Sequence, residues 1–243
     1  MVYRTDTEWG RERCTTHEEV LQRGAKRVET IAEAIEEATG ATVEGRTALD
    51  YGCGVGRIAV PLAERCERVY GVDLSPSILR ETRANAERMG VDNLETLEVG
   101  RLDELAGRYD LLISLHVLQH IRTRDGERIF ERLLAGLRPG GVGFVNVVVR
   151  PPRPLLRVMR WTFRPSHASR VHRRRHRLNP SNLVGAIDLS YAYMMRRSYS
   201  LDRLGRLLAA AGIDRWSAHY NLNPERHGFD AVALIFEKPE TAT

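Results

Sequence analysis

The sequence predicts an α/β protein with a doubly wound sheet of seven strands that is mostly parallel. Apolar runs with strand character alternate with helical segments between residues 46 and 149, and such alternation is typical of parallel strands joined by helical crossovers. Two apolar runs close the chain with no helix between them, so we expect a hairpin that gives the sheet an antiparallel last strand. A glycine-rich turn follows the first strand, at the edge where such sheets bind ligands.

Each element has its own sequence signal. Residues 16–39 are predicted to form an N-terminal helix, because apolar residues recur at three- and four-residue spacing and Gly40 supplies a stop. Strands are expected at 47–52, 68–75, 94–100, 109–117, 140–149, 215–222 and 230–239. Helices are expected at 57–65, 75–90, 122–137 and 200–212. In the second of these, Ser75 is the expected N-cap and Pro76 the first helical residue.

Four regions follow from this order. Residues 1–45 form an N-terminal helical arm, residues 46–149 an α/β core, and residues 198–243 a terminal helix and hairpin that complete the core. Between them, residues 150–197 interrupt the rhythm of strand and helix with prolines, arginines and an aromatic patch. We interpret this region as an insertion, partly helical, that covers the site.

The positive charge of the chain is concentrated in that insertion. From Arg150 to Arg177 there are ten arginines and no acid, so the net charge of +5 becomes −5 without this segment. Arginine outnumbers lysine 35 to 2, and this general bias weakens any inference of nucleic-acid binding. The run HRRRHR at 172–177 has three interpretations: a solvated face, a site for an anionic ligand, or a surface for RNA or a membrane.

Cysteine usage and hydropathy exclude several classes of protein. Cys14, Cys53 and Cys66 are widely spaced and odd in number, so neither a disulfide framework nor a metal site is expected. No apolar run approaches the ~18 residues that a membrane span needs. The first residues are polar and carry acids, unlike a signal peptide. We therefore expect a soluble, cytoplasmic protein of bacterial type.

The turn "LDYGCGVGR" at 49–57 favours a ligand that carries an amine. A nicotinamide fingerprint has the spacing G-x-G-x-x-G, whereas this turn has G-x-G-x-G with Arg57 where the last glycine would stand. Asp50 precedes the first glycine by two residues; its carboxylate would repel a diphosphate and attract an ammonium group. The alternative is that the glycines serve only a tight turn.

Asp73 lies at the tip of the second predicted strand, two residues before its predicted end, where an acid can bind the two hydroxyls of a ribose. Its alternative role is to cap the following helix, although Ser75 already serves there. Recognition of an amine by the first strand and of a ribose by the second describes S-adenosylmethionine.

Four segments in this order, "LDYGCGVG", "VYGVDLS", "YDLLISLHVLQHI" and "LRPGGVGFV", resemble the motifs of class I S-adenosylmethionine-dependent methyltransferases. The likeness covers residues 46–149, and the terminal helix and hairpin extend it to about residue 238. It implies the Rossmann-like methyltransferase fold, transfer of a methyl group, and S-adenosyl-L-methionine as cofactor. "GCGVGRIAVPLAE", "LQHI" and "LLAGLRPGGVG" further resemble a bacterial subgroup of stand-alone methyltransferases often associated with surface-polysaccharide genes.

The resemblance also implies which residues hold the cofactor. Asp50 and the backbone of the turn would contact the methionine end, Asp73 would hold the ribose, and Leu74 would pack on the adenine. Arg101 stands where the family usually has an acid for the adenine, so we expect the backbone amide of Leu102 to serve there. The implied contacts are therefore Asp50, Tyr51, Gly52, Cys53, Gly54, Gly56, Asp73, Leu74, Leu102, Ser114, Leu115 and His116, the last three on the sulfonium side.

Methyl transfer is an in-line displacement, so catalysis can come largely from positioning, but a hydroxyl acceptor also needs a base. His116 and His120 are the expected catalytic residues, with a structural role as the alternative for His120. His219 and His227 remain further candidates for the base, and an amine acceptor would need none. Trp9, Tyr191, Tyr193 and Met194 are candidates for a lid over the acceptor or for ordinary packing.

The expected acceptor is a small molecule, either a saccharide or a secondary metabolite, and it is methylated on oxygen or nitrogen. An anionic or glycan acceptor would suit the arginine segment. Other functions remain open. They are an RNA methyltransferase, although nucleic acid is the less favoured partner, an enzyme that uses S-adenosylmethionine otherwise, such as a cyclase, or a binding protein that has lost catalysis. A monomer or a homodimer is expected.

Overall fold

The computed structural model describes residues 16–149, 198–220 and 231–240. Seven strands form one sheet in the order β3-β2-β1-β4-β5-β7-β6. They are β1 Thr47–Tyr51, β2 Arg68–Asp73, β3 Leu94–Glu98, β4 Tyr109–Ser114, β5 Leu137–Val148, β6 Arg215–Tyr220 and β7 Ala231–Glu237. The helices are α1 His17–Thr39, α2 Ala59–Ala63, α3 Pro76–Arg88, α4 Thr123–Gly136 and α5 Leu201–Ala210, with short 3₁₀ helices at Val99–Leu105 and Leu118–His120.

Strand direction confirms the predicted fold class. Strands β1 to β5 pair in parallel, and β7 runs antiparallel to both β5 and β6. The ends of β1, β2, β4 and β5 therefore meet at one side of the sheet, which we call the carboxyl edge, and their beginnings meet at the amino edge.

The predicted bounds were least accurate where strands leave the sheet. The fourth strand ends at Ser114 instead of residue 117, and the third ends at Glu98, where a 3₁₀ helix begins. The fifth begins at Leu137, three residues earlier than predicted, because the register shifts between Tyr109 and Leu111 and admits extra residues before the pairing resumes. Such a bulge is decided by the partner strand.

Local signals explain the helix ends. Thr16 caps α1, accepting the Glu19 N–H at 3.2 Å while the Glu19 carboxylate accepts the Thr16 N–H at 3.3 Å, and Gly40 closes that helix in the left-handed conformation. Ser75 caps α3 as predicted. Pro61 lies in the first turn of α2, where a proline is tolerated.

Helices cover both faces of the sheet, as expected for a doubly wound fold. On one face α1, α2 and α3 bury an apolar cluster that includes Ile31, Ile35 and Leu62. On the other face α4 and α5 pack against the sheet, and the ring of Phe130 on α4 meets the ring of Phe236 on β7 edge-on at 6.1 Å. Because side chains alternate along a strand, each residue at the end of β1 is turned toward one of these two buried layers.

Among the described residues, no helix combines the length and the apolar character required to cross a bilayer. Within the same ranges, no cluster of three His, Cys, Asp or Glu side chains could hold a metal ion. The predicted insertion, the run at 172–177, the predicted lid residues (Trp9, Tyr191, Tyr193 and Met194) and His227 all lie outside the described residues.

Candidate functional site

The backbone conformation of the turn after β1 explains why its three glycines stand at alternate positions. Gly52, Gly54 and Gly56 all have left-handed backbone, with φ of 79°, 55° and 84°, a conformation that favours glycine. At Gly52 a side chain is excluded by contact as well, because a Cβ there would lie 2.2 Å from Cγ2 of Val117. The turn is therefore tightly curved and is covered on one side by the loop that follows β4.

The N–H groups of this turn are used within the protein. Four of them have internal acceptors: Gly52 and Cys53 donate to the Val72 carbonyl (2.7 and 3.0 Å), Gly54 to Oδ2 of Asp73 (3.0 Å) and Gly56 to the Cys53 carbonyl (3.0 Å). Phosphate-binding loops instead direct such groups at the anion. The turn is thus poorly suited to a diphosphate, and recognition of a ligand falls mainly on side chains nearby.

Helix α3 supports the turn from behind through two buried polar residues. Thr82 Oγ1 donates to the Gly54 carbonyl at 2.6 Å, and Asn85 Nδ2 donates to the Val55 carbonyl at 2.8 Å. Our sequence reasoning missed both residues. The available signal was that they share the buried face of α3 with Leu79, where polar side chains need partners.

Asp50 is the most unusual polar residue of the site. It is 2% exposed, and its Oδ2 has no hydrogen-bond partner among the described residues. Burial raises the pKa of this carboxyl to about 7, with Asp73 adding to the rise, while the Arg57 charge and the Ala59 N–H act in the opposite direction. A buried carboxylate oxygen without a donor is costly, and an ammonium group would relieve that cost.

Asp73 lies beside the turn, at the end of β2. Its Oδ2 accepts the Gly54 N–H at 3.0 Å and its Oδ1 accepts the Ser75 N–H at 3.1 Å, so the carboxylate is held in one orientation. Each oxygen can accept a further hydrogen bond, which suits a pair of hydroxyl groups. The next residue, Leu74, is 78% exposed and offers an apolar surface to a flat ring.

The 3₁₀ helix after β3 brings Leu102 to the same edge, where its side chain is buried. Its charged neighbours are paired elsewhere: Arg101 with Glu104 at 2.7 Å and Asp103 with Arg132 at 2.8 Å. Both acids are thus engaged with arginines. The role of the Leu102 backbone therefore stays a prediction.

The loop after β4 begins with a buried hydroxyl and a left-handed residue. Ser114 Oγ donates to the Tyr51 carbonyl at 3.1 Å, so this side chain links β4 to β1. Leu115 packs against the apolar layer beneath α1. His116 has φ of 59° and is the only residue other than glycine with positive φ in the described part of the chain. Such backbone is uncommon for a side-chain-bearing residue and often marks a functional turn.

Three of the predicted contact residues turn their side chains into the protein. The Tyr51 ring and the Ser114 hydroxyl are buried, and the Cys53 thiol packs near Gly71, where a Cβ would lie 3.2 Å from its sulfur. Burial raises the pKa of this thiol far above its usual range, which disfavours the nucleophilic thiolate. Any ligand contact from these residues would come from the backbone.

The candidate histidines lie in different places. His120 is exposed at the end of the second 3₁₀ helix, with its Nε2 at 3.3 Å from Nε2 of Gln119. His219 lies on β6, three strands away from β4 in the sheet, and its Nε2 is 2.7 Å from Oγ of Ser217. The fold therefore places His116 and His120 in the loop after β4 at the carboxyl edge and leaves His219 on the edge strand.

Together these groups fit one kind of ligand. Asp50 can accept from a cationic amine, Asp73 from two neighbouring hydroxyls, and Leu74 can cover an aromatic ring. This set matches the parts of S-adenosylmethionine better than those of a dinucleotide, whose diphosphate would meet two carboxylates and few free N–H groups.

Comparison with known proteins agrees with this geometry. A family model described as "Methyltransferase domain" matches residues 48–141. Ubiquinone biosynthesis O-methyltransferases are similar to this chain: the protein of Acinetobacter baylyi is 30% identical over 125 residues, and that of a Methylobacterium species is 32% identical over 110 residues. These alignments cover 50% and 45% of this chain, and 51% and 43% of those proteins. The chain thus matches about half the length of these relatives.

Solved structures show the same fold. Magnesium protoporphyrin IX methyltransferase from Synechocystis, with bound S-adenosylhomocysteine, aligns with a TM-score of 0.58 at 18% identity, covering 95% of this chain and 90% of that chain. A second solved structure is that of 1,6-didemethyltoxoflavin-N1-methyltransferase from Burkholderia thailandensis, with bound 1,6-didemethyltoxoflavin and S-adenosylhomocysteine. It aligns with a TM-score of 0.55 at 20% identity, covering 89% of this chain and 79% of that chain.

Proposed function

We propose that this chain, of which residues 48–141 match a family model described as "Methyltransferase domain", is a class I methyltransferase that transfers a methyl group from S-adenosylmethionine to a small-molecule acceptor. The observation that carries the proposal is the buried Asp50 carboxylate, whose Oδ2 has no partner among the described residues. An ammonium group placed there would form a charge-assisted hydrogen bond in a low-dielectric site.

Four residues would hold the cofactor. Asp50 would accept from the methionine ammonium, Asp73 from the two ribose hydroxyls, and Leu74 would cover one face of the adenine, with the Leu102 backbone at its edge. When bound, the cofactor supplies a methyl group on a sulfonium, which the acceptor attacks in line. The protein's task is then to orient the acceptor, exclude water and remove a proton where the acceptor is a hydroxyl.

His116 is our candidate for that proton transfer. It follows β4 directly, and its left-handed backbone (φ 59°) turns the chain at the carboxyl edge. An imidazole can accept a proton at neutral pH. We propose that residues 150–197 cover the acceptor and that the cytoplasm is where the reaction occurs.

The acceptor that we favour is a hydroxyl-bearing metabolite or saccharide. The similar proteins of Acinetobacter and Methylobacterium are named O-methyltransferases, which supports transfer to oxygen. The ten arginines between 150 and 177 favour an acceptor with negative charge, such as a sugar phosphate or a nucleotide-linked sugar.

Binding and turnover test the proposal in two stages. Calorimetry should detect binding of S-adenosylmethionine and S-adenosylhomocysteine and no binding of a nicotinamide dinucleotide. The protein is then incubated with S-adenosylmethionine and mixtures of catechols, nucleotide sugars and amines. Release of S-adenosylhomocysteine with a methylated product supports the proposal, whereas methylthioadenosine as the product would exclude methyl transfer.

Replacing His116 separates base catalysis from binding. Asparagine tolerates left-handed backbone but is not a base, so His116→Asn should lower turnover of a hydroxyl acceptor by about 10²- to 10⁴-fold and leave the affinity for S-adenosylhomocysteine nearly unchanged. His219→Asn is the matched control and should keep its turnover. If the control alone loses turnover, the base lies on β6.

A further inference from the structure

Tyr199 is a buried residue that none of the cofactor contacts explains. It is 1% exposed, and its N–H donates to the Val148 carbonyl at 2.8 Å, while it forms a parallel bridge with Val149. Val149 and Tyr199 lie at the two sides of residues 150–197 in the sequence. The chain that enters this segment and the chain that leaves it are therefore held side by side at the carboxyl edge.

The Tyr199 hydroxyl reaches the loop after β4. It donates to the Leu118 carbonyl at 2.8 Å, and Leu118 begins the second 3₁₀ helix. The hydroxyl end of the ring also lies against Gly126 of α4, where a Cβ would lie 1.9 Å from the hydroxyl oxygen. Burial raises the pKa of Tyr199 to about 12, so the hydroxyl keeps its proton and remains a donor.

Leu118 is connected to the cofactor turn through its neighbour. Val117 packs on Gly52 so closely that no side chain fits between them, and His116 precedes it with strained backbone. A displacement of the Leu118 carbonyl would therefore move Val117 off the turn and change the direction of His116.

We propose that Tyr199 is a positioning residue of the methyl-transfer site. Its hydroxyl holds the loop of residues 116–121 against the glycine turn and ties that loop to the chain that leaves residues 150–197. The role rests on the proposed function, because the turn is assigned there to the cofactor. Tyr199 touches neither cofactor nor acceptor in this proposal; it acts through Leu118 and Val117.

The protein contains a matched control for this interaction. Tyr109 is also 1% exposed, and its hydroxyl donates to the Leu133 carbonyl at 2.6 Å. It faces Gly136 of the same helix α4, where a Cβ would lie 2.7 Å from the hydroxyl oxygen. Tyr109 begins β4 at the amino edge, at the opposite end of the strand from the glycine turn. Tyr109→Phe therefore removes the same kind of bond away from the site.

The test compares Tyr199→Phe with Tyr109→Phe in the full-length protein. Both variants should lose a similar amount of thermal stability, because each loses one buried tyrosine–carbonyl bond. Of these two variants, only Tyr199→Phe should lower the affinity for S-adenosylhomocysteine, by roughly three- to tenfold, the range expected for loss of one such bond. Gly126→Ala should also lower this affinity by displacing the Tyr199 hydroxyl. In the double variant Gly126→Ala/Tyr199→Phe the loss of affinity should be smaller than the sum of the two single losses.

Hydrogen exchange provides a readout that needs no ligand. Amides of residues 116–121 should exchange faster in Tyr199→Phe than in Tyr109→Phe, because local opening becomes easier where the bond is lost. Unchanged exchange in this loop, or equal loss of affinity in the two variants, would overturn the positioning role. If the wild-type protein binds neither S-adenosylmethionine nor S-adenosylhomocysteine, the proposed function fails, while the exchange comparison still decides whether Tyr199 holds the loop.

Discussion

At the amino edge of the sheet the carbonyls that end helix α4 have donors, whereas at the carboxyl edge two buried polar atoms lack partners. Four carbonyls at the end of α4 accept hydrogen bonds: Leu133 from Tyr109 (2.6 Å), Leu134 and Leu137 from Lys238 (3.0 and 2.7 Å), and Gly136 from the Gly107 N–H (2.7 Å). At the carboxyl edge, Asp50 Oδ2 and Asn146 Oδ1 are buried with no hydrogen-bond partner among the described residues.

This contrast between the two edges indicates that the amino edge contributes to stability and that the carboxyl edge is free to bind a ligand. A satisfied helix end stabilises the fold, while an unsatisfied buried atom costs stability and is available to a ligand. Substitutions at matched positions on the two edges should therefore differ in their effects on stability and on ligand binding, and the pairs below test this contrast.

The largest effect on ligand binding is expected for Asp50. Asp50→Asn removes the charge that would pair with the ammonium group, so the affinity for S-adenosylhomocysteine should fall about 100-fold, as for one partner of a buried charge pair. Thermal stability near pH 8 should rise, because a buried charge without a partner is gone. Calorimetry and thermal unfolding measure the two effects.

Asp110→Asn is the control at the amino edge, where Asp110 Oδ1 accepts the Thr47 N–H at 2.9 Å. This variant should lose a little thermal stability and keep the wild-type affinity for S-adenosylhomocysteine. If Asp50→Asn binds S-adenosylhomocysteine as tightly as the wild-type protein, the assignment of Asp50 is wrong.

Glycine positions give the second pair. Gly52→Ala adds a clash with Val117 to the cost of left-handed backbone, so we expect a loss of about 2–5 kcal/mol in the free energy of unfolding and weaker cofactor binding. Gly45 at the amino edge has a φ of 70° with open space around its Cβ position, so Gly45→Ala should cost about 1–2 kcal/mol and leave binding intact. Equal losses of stability in denaturant titrations would contradict the packing of Val117.

The pH dependence of binding should follow Asp50. Its pKa is raised to about 7, and the ammonium group needs the deprotonated carboxylate. Affinity for S-adenosylhomocysteine should therefore weaken by up to about tenfold for each pH unit below 7. Without ligand the folded state retains a proton that the unfolded state has lost between about pH 4 and 7, so the Asp50 contribution to stability falls as pH rises through that window. A profile in Asp50→Asn identical to that of the wild-type protein would exclude Asp50 as the titrating group.

The smallest effect is expected for the two asparagines. Asn146 on β5 has a buried Oδ1 without a partner among the described residues, so Asn146→Leu should raise the free energy of unfolding by about 1 kcal/mol. Asn93, before β3, donates through Nδ2 to the Ala63 and Cys66 carbonyls, both at 2.9 Å. Asn93→Leu should therefore lower the free energy of unfolding. Destabilisation by both substitutions would show that the Asn146 oxygen is satisfied in solution.

Patterns within short stretches of sequence predicted much of the fold. The alternation of strands and helices, the Ser75 cap and the antiparallel hairpin are confirmed, because hydrophobic period and capping chemistry act over a few residues. Strand ends were predicted less well. The bulge between Tyr109 and Leu111 depends on the partner strand β5, which local sequence does not specify.

Within the candidate site, the sequence by itself determined the residue types and the backbone they need. Alternate glycines permit three left-handed residues in five, and the two acids stand at or next to the last residue of their strands, because both properties are local. Tertiary structure alone decided that Thr82 and Asn85 support the turn and that Tyr199 reaches Leu118, 81 residues away. It also decided the raised pKa of Asp50. Desolvation and long-range hydrogen bonds depend on which distant segments pack together, and this information emerges only once the chain has folded.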